Sequence, residues 1–499
     1  MNRSTLSLAG AVVALAVLTG AASMTGGSTS DTAPAASAAR LPVQRSTLLC
    51  PEPSPSEFAS TTYTSFTPVS SGPGTSTGES TGAATGTSGA KATLVPATTK
   101  PKALKPLTAT GKPITSSTDK ADSPALVGTA DGALAPGWTV QQTTVVSDGP
   151  GRGVLGTSCV APDSEFWFPG ASTVDGRQDY VHLVNPDETP AVVDIDLYGK
   201  DGQLKGSTGD GITVPGDSSK PVLLSTLIAD KVQDLTVHVV ARSGRVGAAV
   251  QATDNKAGTD WLAAAAEPSG NLVMPGIPSD ATDVRLITYA TGSDDADLTL
   301  KLATSTGSIT PAGHETLHVK SGMTTAVDLG DLTKGDAGSL IIGSSTSHDP
   351  VPVVAALEIT RGKGSDQEIA FLPATNRIDR EATVADNRAK GSTLALTATG
   401  KDVSVKITSS AGSTGGESTS KTVTVKAGST LSMAPPQPSG LKGTFAVTVQ
   451  RLSGGQLYAS RMLALPLDGV PMFTIQPMPD DQGMVAVPDA DADLRVLEH

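Results

Sequence analysis

His314-Glu315-Thr316-Leu317-His318 spells H-E-x-x-H, the pattern with which zinc proteases offer two imidazoles to one metal and a glutamate to the attacking water. The pattern works on a helix, where residues four apart share a face. On a strand they also share a face, but at about 3.3 Å per residue they stand roughly 13 Å apart. Two ligands each about 2 Å from one ion cannot span that distance. The local letters favour a strand. Pro311 and Gly313 precede the motif, Thr316-Leu317-His318-Val319 alternates, and Ser321-Gly322 turns. No third ligand follows on a helical pattern. The motif is therefore expected to bind no catalytic zinc, and no metal ligand is expected elsewhere.

Other chemistry-bearing residues point the same way. The six histidines are His182, His238, His314, His318, His348 and His499. Abundant Ser and Asp allow a triad on paper, but no G-x-S-x-G elbow is present. His182 and His238 fall in alternating segments and are expected to face solvent from a sheet. Carboxylates cluster at Asp294-Asp295-Asp297, at Asp480-Asp481, and at Asp489, Asp491 and Asp493. The last set begins like a calcium loop but lacks its sixth-position glycine and twelfth-position glutamate, so all three are expected to be solvated. Glycoside cleavage requires paired carboxylates lining a cleft, and such clefts bring aromatic rings. This chain has 3 Trp and 5 Tyr in 499 residues. Trp138, Trp167 and Trp261 lie at unit ends or connectors, where packing between units is the expectation. No catalytic residue, cofactor or metal is assigned and the chain is read as a non-enzyme. An exported hydrolase acting through the 314–318 motif and a cell-wall carbohydrate-binding protein stand as alternatives.

Charge and cysteine usage narrow the setting. A formal net charge of −13, with no basic patch, argues against nucleic-acid partners. Arg3, the apolar run 6–22 and the small residues Ala36-Ser37-Ala38 have the layout of a signal peptide. Residues 1–40 are thus read as signal peptide and mobile leader, with a membrane role only if that segment is retained. Cys50 and Cys159 are an isolated pair, most simply a disulfide in an exported chain. The expected location is secreted or cell-envelope associated, outside the cytoplasmic membrane. The expected partner is an envelope protein or glycan.

The elements that must carry these residues are strands. Pro169, Pro275, Pro373 and Pro477 each end a short apolar run, at spacings of 106, 98 and 104. A period near 100 residues suits small β-sandwiches. Strand–turn–strand segments recur at Gly211, Leu317 and Val423, and hairpins are read at Leu235, Ser339, Phe445 and Trp138. Residues 180–202 read as a further strand pair turning at Asn185-Pro186-Asp187. Residues 260–270, "DWLAAAAEPSG", allow one or two helical turns in a connector. The fold expected is all-β, with tandem immunoglobulin-like β-sandwich units and short connectors. The units run 41–162 (divergent, with a disordered Gly/Ser/Thr insertion at 67–90), 163–267, 268–365, and 366–499 with a C-terminal extension. Connectors this short are expected to hold neighbours in contact as a semi-rigid rod.

"TADGALAPGWTVQQTT", "PAGHETLHVKSGM" and "VADNRAKGSTLALTA" resemble an uncharacterised family of exported actinobacterial proteins, known only as a domain of unknown function. The resemblance runs from about residue 41 to the end. It implies export and a β-rich fold, and carries no catalytic residue, cofactor or partner. The long Gly/Ser/Thr insertion departs from it, which puts the first unit's geometry in question.

Overall fold

The computed structural model describes residues 39–69, 90–98, 101–206, 208–345 and 350–487. The 1–40 leader except its last two residues, most of the 67–90 insertion, His348, His499, Asp489, Asp491 and Asp493 lie outside the described residues. The chain divides into two compact parts. One joins 1–41 to 484–499, and in it Ala39–Pro42 pairs with Met484–Val487. The other, 42–483, carries everything below.

Apart from three single-turn 3-10 segments, the regular structure among the described residues is strand. The second unit shows the plan. One sheet orders Ser218–Leu223, Arg177–Asn185, Gly247–Asp254 and Gly258–Leu262. The facing sheet orders Gly202–Gln203, Ala191–Gly199, Leu235–Ser243 and Glu165–Ala171, with Ile212–Val214 also on Ala191–Gly199. Alternation builds the core between them. Val193, Ile195 and Leu197 point inward from one strand, against Val181, Leu183 and Val250 from the other sheet. The third unit repeats this pairing scheme strand for strand, and the first unit repeats it with one three-stranded sheet, Leu126–Asp131 between Arg45–Cys50 and Ala92–Pro96, and one four-stranded sheet ordering Ile114–Thr118, Ala59–Phe66, Thr139–Val146 and Gly153–Ser158. In the fourth, two 20-residue strands, Ser392–Ala411 and Phe445–Ala464, pair within one six-stranded sheet with register shifts between Thr399 and Val403 and between Ser404 and Val405, so the hairpin expected from Phe445 onward is instead one continuous strand.

Several expectations are corrected here. Arg177–Asn185 and Ala191–Gly199 are consecutive but join different sheets, so the turn at Asn185-Pro186-Asp187 is an arch between sheets. Leu235–Ser243 and Gly247–Asp254 are likewise split, as are their counterparts in the third unit, so those hairpins are arches too. The last strand pair of each unit is a hairpin. In the first unit this is Thr139–Val146 with Gly153–Ser158, as read from Trp138 onward. Glu368–Pro373 pairs with Val353–Arg361, so the run ending at Pro373 closes the third unit, and the fourth opens at Glu381–Asn387. The segment read as helical turns begins instead in the strand Gly258–Leu262.

The four closing strands are Gly153–Ser158, Gly258–Leu262, Glu368–Pro373 and Phe473–Pro477. Each packs on the closing strand of the next unit, and the fourth packs on the first. Period-2 alternation lets one strand serve two cores. From Glu368–Pro373, Ile369 and Phe371 enter the second unit's core while Ala370 and Leu372 enter the third's. Phe473 and Ile475 of the fourth unit join the third's core, and Val154 of the first meets Val470 and Met472 of the fourth. The cycle closes, so the expected end-to-end rod is not formed. The short connectors do keep neighbours in contact, but the shared closing strands also bring the last unit back to the first.

Candidate functional site

The 314–318 motif lies mostly on a short strand. Thr316–Val319 pairs with Ala296–Ala303, placing His318 opposite Asp297. His318 Nδ1 is 2.8 Å from Asp297 Oδ1 and its Nε2 is 3.3 Å from Asp295 Oδ2. The Asp297 hydrogen bond raises the imidazole above its ordinary value. Glu315 Oε1 accepts from the Gly313 amide at 3.0 Å, and His314 precedes the strand. No helix places the two histidines on one face. Among the described residues, no group of three or more His, Cys, Asp or Glu has the arrangement of a metal site.

Cys50 and Cys159 form a disulfide, with Cα atoms 4.4 Å apart. It ties the end of the first unit's opening strand to the residue after its closing strand, beside the Leu49–Val160 bridge. Trp167 and Trp261 pack between units, Trp167 on Tyr289 and Val354, and Trp261 on Val146 and Leu155. Trp138 does not. It lies in the first unit's own core and donates from Nε1 to Ser65 Oγ at 2.9 Å. His182 is buried rather than solvent-facing, and burial pushes its imidazole down to about 4. His238 is mostly covered as well, stacked on Trp167 at 3.6 Å between centroids and 3.0 Å from Glu165 Oε1. Both corrections share a cause: the outer faces of these sheets, which would meet water in an isolated sandwich, are covered by neighbouring units. Asp480-Asp481 is not a solvated loop either. Asp480 Oδ2 accepts the Arg380 amide at 2.8 Å. Asp481 stands beside Glu381, and burial raises the two carboxyls to about 6 and about 7.

Where the closing strands meet lies a cluster that the sequence reading did not single out. Asp260 is fully buried, and its Oδ1 accepts from the Gly156 amide at 3.1 Å and the Thr474 hydroxyl at 2.9 Å. Gln476 Nε2 donates to Thr474 Oγ1 at 2.8 Å. First, second and fourth units are thus joined through one carboxylate. Glu368 of the third unit completes the set. Burial, and then the charge of Asp260, push its carboxyl up to about 9. Its two oxygens lie over Gly153 and Gly258, where a Cβ would come within 2.5 and 2.4 Å of them. Gly258 also has φ +91°, so glycine is required there twice over. Arg461, wholly buried nearby, has its guanidinium lowered to about 10 by burial, against the opposing pull of Asp386. At neutral pH Glu368 is therefore a neutral acid inside a polar seam. Neither Thr-Asp-Trp at 259–261 nor Gln-Glu-Ile at 367–369 differs locally from a surface acid on a strand.

The open site is elsewhere. A cleft of about 570 Å³ lies between the third and fourth units, within the range of ligand pockets. Its floor includes the buried Leu272 and Ile342. Its rim carries Asn271, Asn376, Arg377, Gln456 and Tyr458. Gln456 and Tyr458 follow the paired glycines 454–455, at the register shift between Thr399 and Val403 in the pairing of the two long strands. Gln456 Oε1 accepts from Thr399 Oγ1 at 3.0 Å and lies 3.4 Å from the Tyr458 hydroxyl. Arg377 Nε is 2.8 Å from Asp379 Oδ1. Sequence reasoning missed this cleft because its walls come from strands about 180 residues apart.

Residues 114–436 match the model of a family described only as a family of unknown function, DUF5719. No curated protein matches the chain.

Proposed function

The chain belongs to DUF5719, a family of unknown function, and we propose that it is an exported, non-enzymatic tandem β-sandwich protein serving as a scaffold or binding module in the cell envelope or extracellular space. The observation that carries this reading is the cleft between the third and fourth units, a preformed polar recess on rigid strands with no nucleophile–base pair in its rim. Export is supported by the signal-peptide layout of the N-terminus. It is also supported by the Cys50–Cys159 disulfide, a bond that persists in oxidising compartments. Among the described residues, no helix is long and apolar enough to cross a membrane. The partner is an envelope protein or a glycan, and neither cofactor nor nucleic acid is involved.

An affinity pull-down from intact cell envelope tests this reading, with a single unrelated β-sandwich as control. Enrichment of a defined envelope protein or glycan is the expected result. Recovery identical to the control, or substrate turnover in broad hydrolase profiling with and without chelator, would sink it. N-terminal sequencing and cell fractionation test export, and an intact Met1 on protein confined to the cytoplasm would remove that part of the reading.

A further inference from the structure

We propose that the cleft between the third and fourth units binds a neutral oligosaccharide, held by Tyr458 and a rim of side-chain amides. This deepens the binding-module reading and rests on it.

The rim chemistry selects the ligand class. Asn271 and Asn376 are exposed, and among the described residues neither side chain makes a hydrogen bond within the protein. Gln456 has its oxygen occupied by Thr399, which leaves Nε2 to donate outward. Carboxamides both donate and accept, as sugar hydroxyls do, so the two match without any change of charge. Tyr458 adds a half-buried ring, a face on which the C–H side of a pyranose can lie. The cleft also disfavours the other classes. Arg377, the cation of the rim, is already paired with Asp379, Glu267 adds a carboxylate, and the chain carries −13. An anionic polymer would therefore be repelled. Protein partners anchor on exposed apolar or aromatic side chains. The exposed large hydrophobics among the described residues, such as Phe58, Ile309 and Leu452, lie outside the cleft.

The test uses the mature full-length protein with two neutral probes, an N-acetylglucosamine tetramer and a maltose-type glucose tetramer, read by saturation-transfer NMR and titration calorimetry. The expected result is saturable binding of at least one probe, with Kd on the order of 0.1–1 mM. Tyr458→Ala and Asn376→Ala should each weaken it by about tenfold or more, a loss of about 1.4 kcal/mol. Tyr458→Phe, which keeps the ring, should bind nearly as well as wild type. Melting curves of all three variants establish that the fold is retained, and Asn376→Ala, at an exposed position, keeps the test decisive if Tyr458→Ala unfolds. No transfer from either probe at millimolar concentration, or binding unchanged in both alanine variants, overturns the proposal. If the envelope pull-down recovers a protein partner while both probes stay silent, the saccharide assignment fails and the binding-module reading survives. If both come up empty, both fail.

Discussion

The seam where the closing strands meet and the strand carrying His318 use the same kinds of residue to opposite ends. Asp260 and Glu368 lie wholly buried, with Asp260 bonded to groups from two other units and Glu368 raised to about 9. Asp295, Asp297 and His318 are half exposed or more, on an outer edge, and the two carboxylates contact the imidazole directly at the surface. The motif that looked chemical is a solvated ion cluster, and the acids with strongly displaced titration sit in strands with no motif at all. Position relative to neighbouring units, rather than local pattern, sets how much an ionisable group matters, because removing a charge from water costs far more than a surface pair returns.

That contrast can be broken at its strong end first. Asp260→Ala should destabilise by about 3 kcal/mol or more, since it opens a void and strands two buried donors, the Gly156 amide and the Thr474 hydroxyl. Chemical denaturation with a two-state fit measures this, and a loss under about 1 kcal/mol would mean that the seam is wet.

Glu368→Gln comes next and should go the other way. Below pH 4.5 the glutamate is protonated in both folded and unfolded chains, and it costs nothing. As pH rises, the unfolded chain releases its proton near 4.5 while the folded chain holds it to about 9, so stability falls across that window. The substitution removes this penalty. It should stabilise by on the order of 2–3 kcal/mol at pH 7 and by little at pH 4. Melting temperatures of both proteins from pH 4 to 9 check it, and parallel curves would refute the displaced titration.

Thr474→Val, nearly isosteric, should cost about 1–2 kcal/mol by leaving Asp260 and the Gln476 amide each short of a partner. The smallest effect belongs to the outer strand. His318→Ala and Glu315→Gln should leave the melting temperature unchanged, and added zinc or chelator should not move it. Stoichiometric zinc in metal analysis, with caseinolytic activity lost in Glu315→Gln, would reverse the contrast.

Much of the architecture is legible in the letters, and the limits are specific. Thr316–Val319 reads as strand from its alternation and flanking turns, and is one. Cys50 and Cys159 read as a pair from their isolation, and are bonded. The arches read as hairpins in the sequence because the two share the same alternation and the same turn residues. What differs is the partner of each strand edge, and for Leu235–Ser243 that partner is Glu165–Ala171, about 70 residues upstream. Pro373 reads as opening the fourth unit for the same reason, although its strand pairs with Val353–Arg361 of the third. His182 reads as solvent-facing because its strand alternates correctly for one sandwich, while the face it occupies is covered by another. The Asp260–Glu368 cluster and the Tyr458 cleft leave no local trace.

Where strands begin and turn, how often the unit recurs and the all-β class are all written in the letters, because period-2 burial and turn chemistry act over neighbouring residues. Which strands pair, that the fourth unit returns to the first, and which acids hold their protons emerge only from the assembled fold. Strand pairing and desolvation depend on side chains brought from other units, and no short stretch of chain contains those partners.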